Sequence, residues 1–223
     1  MGRQIFIGLA TEGTTDIRFL ESIVHRTFED IALNEGQVDI DIYVHCLKTP
    51  KTGLSFPEYV ANASKDGIAK FGIMTLAIHT DTDGDTYLER LKNTIEKAQR
   101  KLDGLNGDEY CKLLTPILPI RMIEAWMLAD KQLLKDEIGT TKSDSDLGIN
   151  RDPENIADPK HTIEEAIRIA TEDLPKRRRS RLNISELYLS LGQSISLEAL
   201  SRLNSYKKFQ DAVRNTYRIL GYM

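Results

Sequence analysis

The chain has 223 residues, 40% hydrophobic and 29% charged, with a formal net charge of -4. That length suits one large domain, or an α/β domain with a smaller appendage, and a core of this size needs neither disulfides nor a structural metal. The mild acidity excludes whole-surface attraction to nucleic acid, so any such binding must come from a local basic patch.

Residues 4–10 are a short, mostly apolar run ending in the polar turn Thr11-Glu12-Gly13, the pattern of a buried parallel strand. From Thr15 the period changes. Ile17, Leu20, Val24, Phe28 and Ile31 share one helical face, with Thr14 and Thr15 as caps and an end near residues 34–36. Residues 38–46 alternate apolar and polar side chains and are rich in β-branched residues, giving a second strand nearer an edge. After a loop punctuated by Pro and Gly (48–55), residues 56–70 read as a helix. The apolar run 72–78 then stops at His79-Thr80-Asp81-Thr82-Asp83-Gly84-Asp85, and 86–102 is a charged amphipathic helix. Residues 113–120 form a fourth strand whose Pro116 and Pro119 require an edge or irregular position. A helix over 121–134 follows. Strands separated by helices imply an α/β fold, with a parallel sheet and helices packed on its faces.

The character changes after Lys135. Residues 140–158 are polar and turn-rich, a linker or a functional loop. Beyond them come only helical patterns, at 161–172, 183–191, 197–203 and 206–220. The expected organisation is an α/β domain over 1–135, then a loop and helical C-terminal section over 136–223. Cys46 and Cys111 are too few and too far apart for a zinc or disulfide framework and read as inert buried thiols. The first residues lack a signal-peptide pattern, and Ile5 and Phe6 suit a strand better than a myristoylated start. No apolar run reaches bilayer-spanning length, so a cytoplasmic protein without membrane association is expected.

Ligands of parallel α/β sheets bind at the carboxyl ends of the strands. Glu12 follows the first strand, and Asp81 and Asp83 follow the third. Asp16 lies one turn into the first helix, four residues after Glu12, and Glu124 occupies the corresponding turn after the fourth strand. Taken singly, each acid could be an ordinary helix cap. Taken together they would repel unless a cation neutralised them, and oxygen ligands without a His/Cys set favour magnesium or manganese over zinc. Gly13 reads as a permissive backbone position where phosphate can approach. His79, at a strand end, reads as a structural histidine, and Ile123, Trp126 and Leu128 as core. Lys176, Arg177, Arg178, Arg179 and Arg181 make the concentrated basic run, a solvated face or a phosphate-contacting patch.

An apolar strand, Glu12-Gly13-x-x-Asp16, then a second apolar strand with Asp81-x-Asp83, resembles the Toprim domain. The Glu-x-x-x-Asp form resembles the nuclease branch found in overcoming-lysogenization-defect (OLD) proteins. The segment Pro119-Ile120-Arg121-x-Ile123-Glu124-Ala125-Trp126-x-Leu128-Ala129-Asp130, with Pro153-Glu154 and Asp158-Pro159-Lys160, resembles the DUF4276 family. This resemblance covers most of the chain. It implies a Toprim-like (Rossmann-like) sheet and a Mg2+- or Mn2+-dependent phosphodiesterase, a nuclease acting on DNA or RNA. The setting it implies is antiphage defence or DNA processing beside an ATPase partner. Glu12 would be the general acid/base or a metal ligand, and Asp81 and Asp83 would hold the main metal. Asp16 and Glu124 would serve a second metal, and Lys160 would stabilise phosphate charge. The alternative is a non-catalytic module binding nucleic acid or an ATPase. A haloacid-dehalogenase-type phosphatase fits less well, because that family carries its Asp-x-Asp on the first strand. An EF-hand is excluded, since Gly84 and Lys92 occupy the wrong loop positions.

Overall fold

The computed structural model describes residues 3–36, 39–173, 175 and 182–223. Four parallel strands, β1 (Arg3–Ala10), β2 (Ile40–Cys46), β3 (Thr75–His79) and β4 (Leu114–Ile117), pair in the order β2-β1-β3-β4. The last four residues of β1 and all five of β3 are buried, which is why the central strands read as continuous apolar runs. β2 and β4 are the edges. Pro116 is tolerated because β4 has a neighbour on one side only.

Between β1 and β3 the direction of winding reverses. β2 lies to one side of β1, and the chain then crosses back to lay β3 on the other. Pairing of Ile7 with Thr75 and of Ala10 with Ile78 brings the carboxyl ends of β1 and β3 level. Such a switch point leaves a crevice beyond the strand ends.

Helix α1 (Thr14–Glu35) packs its stripe of Phe19, Ile23, Val24 and Phe28 onto Ile5, Ile7 and Leu9. The opposite face is covered by α2 (Phe56–Phe71) and by a helix running from α3 (Tyr87–Arg90) through the π-helical Leu91–Ile95 into α4 (Glu96–Asp103). The expected helix over 121–134 is instead two short ones, α5 (Glu124–Met127) and α6 (Lys131–Glu137). Arg121 has φ 67, which no helix accommodates, and Asp130 restarts the second helix by accepting the Leu133 amide at 3.1 Å. The apolar spacing runs unbroken across both because both bury residues in one core.

The remaining helices are α7 (Pro159–Ala170), α8 (Ile184–Ser194), α9 (Leu197–Leu200) and α10 (Asn204–Leu220). They share the core of α1 and β1. A Cβ on Gly192 would stand 2.5 Å from the Phe19 carbonyl oxygen, so α8 approaches α1 only because that position is glycine. Glu154, in the 3-10 turn Pro153–Asn155, accepts the amides of Asn204 at 2.9 Å and Ser205 at 2.7 Å and so caps α10. Among the described residues, no helix is long and apolar enough to cross a membrane. The basic run of Lys176, Arg177, Arg178, Arg179 and Arg181 lies outside the described residues.

Candidate metal and phosphate site

Glu12 and Asp81 meet at the switch point. Glu12 Oε2 accepts the Thr80 hydroxyl at 2.9 Å and the Asp81 amide at 3.3 Å, so the turn after β1 is tied to the turn after β3. Asp81 Oδ1 in turn accepts the Ile123 amide at 3.1 Å, tying in the segment after β4. Backbone bonds continue this seam past the strand ends: the amides of Thr80, Thr82 and Asp83 donate to Ile117, Pro119 and Arg121.

Asp16 is buried, and its Oδ2 accepts the Gly13 amide at 2.6 Å. Asp16 therefore closes the start of α1, a role expected of Thr14 and Thr15. Gly13 itself has φ -110, ordinary extended backbone. What it contributes is room, since a Cβ there would lie 3.0 Å from Asp16 Oδ2.

His79 joins the two carboxylates. The ring is fully buried, with Nδ1 3.4 Å from Asp16 Oδ2 and Nε2 3.2 Å from Asp81 Oδ1, yet neither nitrogen is aligned for a hydrogen bond. Burial favours the neutral ring, but the two carboxylates outweigh it and raise the His79 pKa to about 9. Burial acts to raise the Asp16 carboxyl, but His79, the Gly13 amide and the charge of Lys51 together hold it below its ordinary range. The cation that the clustered acids require is thus partly supplied by the chain itself. A lone histidine ending an apolar run gives no hint in sequence that carboxylates will flank it.

Glu124 opens α5 and is buried, and Tyr188 of α8 donates a hydrogen bond to its Oε1. Burial pushes the Glu124 carboxyl toward its neutral form, with a further push from the charge of Asp81. Lys160, exposed in the first turn of α7, is near enough for its charge to draw Glu124 the other way. Tyr188, 64 residues from Glu124, had no local signal that could have marked it.

Asp83 goes elsewhere. Its Oδ2 pairs with Arg90 at 2.5 Å, and its backbone sits at φ 53. Asp85 faces the same guanidinium at 3.7 Å. Among the described residues only Asp83 and Arg121 are non-glycine residues with positive φ. They are bonded to each other, the Asp83 amide donating to the Arg121 carbonyl at 2.9 Å. Such strain concentrates at functional rims.

Lys51, from the loop between β2 and α2, also reaches this rim. Its ammonium donates to the Glu12 carbonyl oxygen and lies 4.6 Å from the centroid of the Tyr59 ring. Burial lowers its pKa, and the charges of Glu12 and Asp16 partly restore it.

The rim therefore gathers Glu12, Asp16, His79, Asp81, Glu124, Tyr188, Lys160 and Lys51, with Asp83 turned toward Arg90. Among the described residues, no three His, Cys, Asp or Glu side chains are spaced to enclose an ion as they stand. The oxygens are engaged in hydrogen bonds and charge pairs instead. Comparison with family models, with curated proteins and with solved structures gives no match to this chain.

Proposed function

We propose that the chain is a Mg2+- or Mn2+-dependent phosphodiesterase of Toprim type, a nuclease acting on DNA or RNA. What supports this reading most is the meeting of Glu12 and Asp81 from two strand ends at the switch point of the sheet. Glu12 Oε2 and Asp81 Oδ1 are taken by hydrogen bonds, while Glu12 Oε1 and Asp81 Oδ2 have no hydrogen-bond partner among the described residues. Two hard oxygens just past the ends of neighbouring strands, on an exposed Glu12 and a half-buried Asp81, suit a magnesium ion, which takes few protein carboxylates and leaves its other positions to water and phosphate. Glu12 and Asp81 would hold the ion, with Asp16 and Glu124 on the side of a second one, and Asp83 would join by leaving Arg90. A bound ion of this kind stabilises charge on the phosphate and lowers the pKa of a water.

The chain's own residues do the rest. Glu12, oriented by Thr80 and the Asp81 amide, accepts a proton from the attacking water. Lys160 meets the developing negative charge. From the resemblance comes the setting in antiphage defence or DNA processing beside an ATPase partner.

Purified protein with magnesium or manganese should cleave DNA or RNA, and Glu12→Gln or Asp81→Asn should slow it by about 100-fold or more. Wild-type protein that cleaves neither, even with an ATPase partner added, sinks the proposal. One observation favours the non-catalytic module instead. His79 already faces two of the carboxylates and Arg90 already engages Asp83, so part of the cluster's charge is balanced without an ion.

A further inference from the structure

The cleft on the β2 side of Glu12 takes no part in the chemistry above. It has a volume of about 500 Å3 and is lined by Thr14 and Ile17 of α1, by Leu47, Lys48 and Lys51 of the loop after β2, and by Tyr59 of α2. Its floor is apolar, with Leu47 and Tyr59 buried and Ile17 half-buried. Its mouth carries two ammonium groups and opens at Glu12, which also lines it.

Lys51 is a positioned cation at an exposed rim. Its ammonium sits over the Tyr59 ring and donates to the Glu12 carbonyl. The Tyr59 hydroxyl donates to the Thr11 carbonyl at 3.2 Å, so lysine and tyrosine are both anchored to the turn after β1. An ammonium has three N–H donors, and one spent on Glu12 leaves others for a ligand.

We propose that this cleft binds one nucleotide of a single strand, next to the phosphate that reacts at Glu12 and Asp81. Lys51 contacts that nucleotide's phosphate, and its base and sugar lie against Ile17 and Leu47. The inference rests on the phosphodiesterase reading and adds the strandedness of its substrate. A cleft of this size falls in the range of roughly 300–1,000 Å3 typical of small-ligand pockets. A volume of this order holds one nucleotide, and a paired base would have to leave its duplex to reach the floor. An apolar floor under a cationic mouth matches a base joined to a phosphate, with the base against aliphatic side chains because the Tyr59 ring faces the Lys51 ammonium. A bare phosphate ion would have no use for the floor.

The test is anisotropy of short labelled single strands, DNA and RNA, in EDTA, where binding is read without turnover. Lys51→Met should weaken binding about tenfold and flatten the salt dependence by about 0.7 in log–log slope, and Lys51→Arg should restore most of both. Ile17→Asp should weaken binding by a similar factor, and an unlabelled duplex should compete poorly. In wild-type protein the Ile17 and Leu47 methyl resonances should shift on titration with adenosine 5′-monophosphate. The inference is overturned if Lys51→Met and Ile17→Asp, melting as wild type does, keep its affinity and salt slope. It is equally overturned if wild type binds no single strand, or if those methyl resonances stay put. Lys51-dependent binding without any cleavage would remove the nuclease reading and leave the subsite. Cleavage indifferent to Lys51 and Ile17 would do the reverse.

Discussion

Two polar networks among the described residues are built on opposite terms. In the seam where α10 meets α1 and β4, the polar groups find aligned partners. The Thr27 hydroxyl bonds Tyr206 and the Ile23 carbonyl, both at 2.7 Å, and Thr115 bonds Thr75 at 2.8 Å and Thr216 at 2.7 Å. Trp126 donates to Ser205 at 2.8 Å and Tyr217 to the Phe28 carbonyl at 2.8 Å. At the strand-end rim, by contrast, His79 faces two carboxylates without an aligned bond, and Asp83 and Arg121 hold strained backbone. A satisfied network specifies the fold, whereas a partly satisfied one costs stability and is kept where charge has work to do. The seam is therefore expected to carry more of the stability than the rim.

Substitutions should separate the two. The largest effect on stability is expected from Tyr206→Ala in the seam, where a fully buried ring packs edge-on to Trp126 with centroids 5.2 Å apart. Its loss should cost about 3–5 kcal/mol in denaturant unfolding. Next comes Glu154→Ala, which strips the α10 cap from two amides, at 2.9 and 2.7 Å, and should cost about 2–3 kcal/mol. Should either variant unfold like wild type, the seam is not what secures the fold.

A smaller and differently signed effect belongs to the rim. His79 has a folded pKa of about 9, above its ordinary value, so its contribution to stability is complete below that ordinary value and is lost as pH rises through 9. In EDTA, Tm should fall by roughly 3–6 °C between neutral pH and pH values above the folded pKa, and His79→Gln should abolish that slope. A flat profile in wild type would mean that His79 is neutral between its two carboxylates.

Much of this architecture could be read from the residues. The buried strands β1 and β3 are apolar because both their faces are covered, and that forces the first acidic residues after them, Glu12 and Asp81, onto one rim. Lys51 and Tyr188 could not be seen, because a loop and a helix from distant parts of the chain deliver them. The partner of Asp83 was equally hidden. An Asp-x-Asp reads as paired ligands, but a left-handed residue at Asp83 turns the second carboxylate to Arg90. Glu154 was visible as a motif, but its task, capping a helix 50 residues later, was not.

The smallest effect tests the comparison with a single ion pair at the solvent end of the seam. Arg214 grips Glu35 through Nε at 3.0 Å from each carboxylate oxygen and through an Nη at 2.8 Å, joining α10 to the end of α1. Hydrogen bonding from Arg214 outweighs the small effect of burial and holds the Glu35 carboxyl below its ordinary range. Its contribution is therefore present above the unfolded carboxyl pKa and disappears as pH falls through the folded one. Both side chains are substantially exposed, so solvent screening limits Arg214→Met to about 0.5–1 kcal/mol at neutral pH. The difference between variant and wild type should shrink toward zero in acid, where the His79 contribution is still complete. Rim and seam thus lose their charge contributions at opposite ends of the pH scale. A variant difference that instead persists in acid would mean that the Arg214 stem, packed along α10, contributes more than its charge.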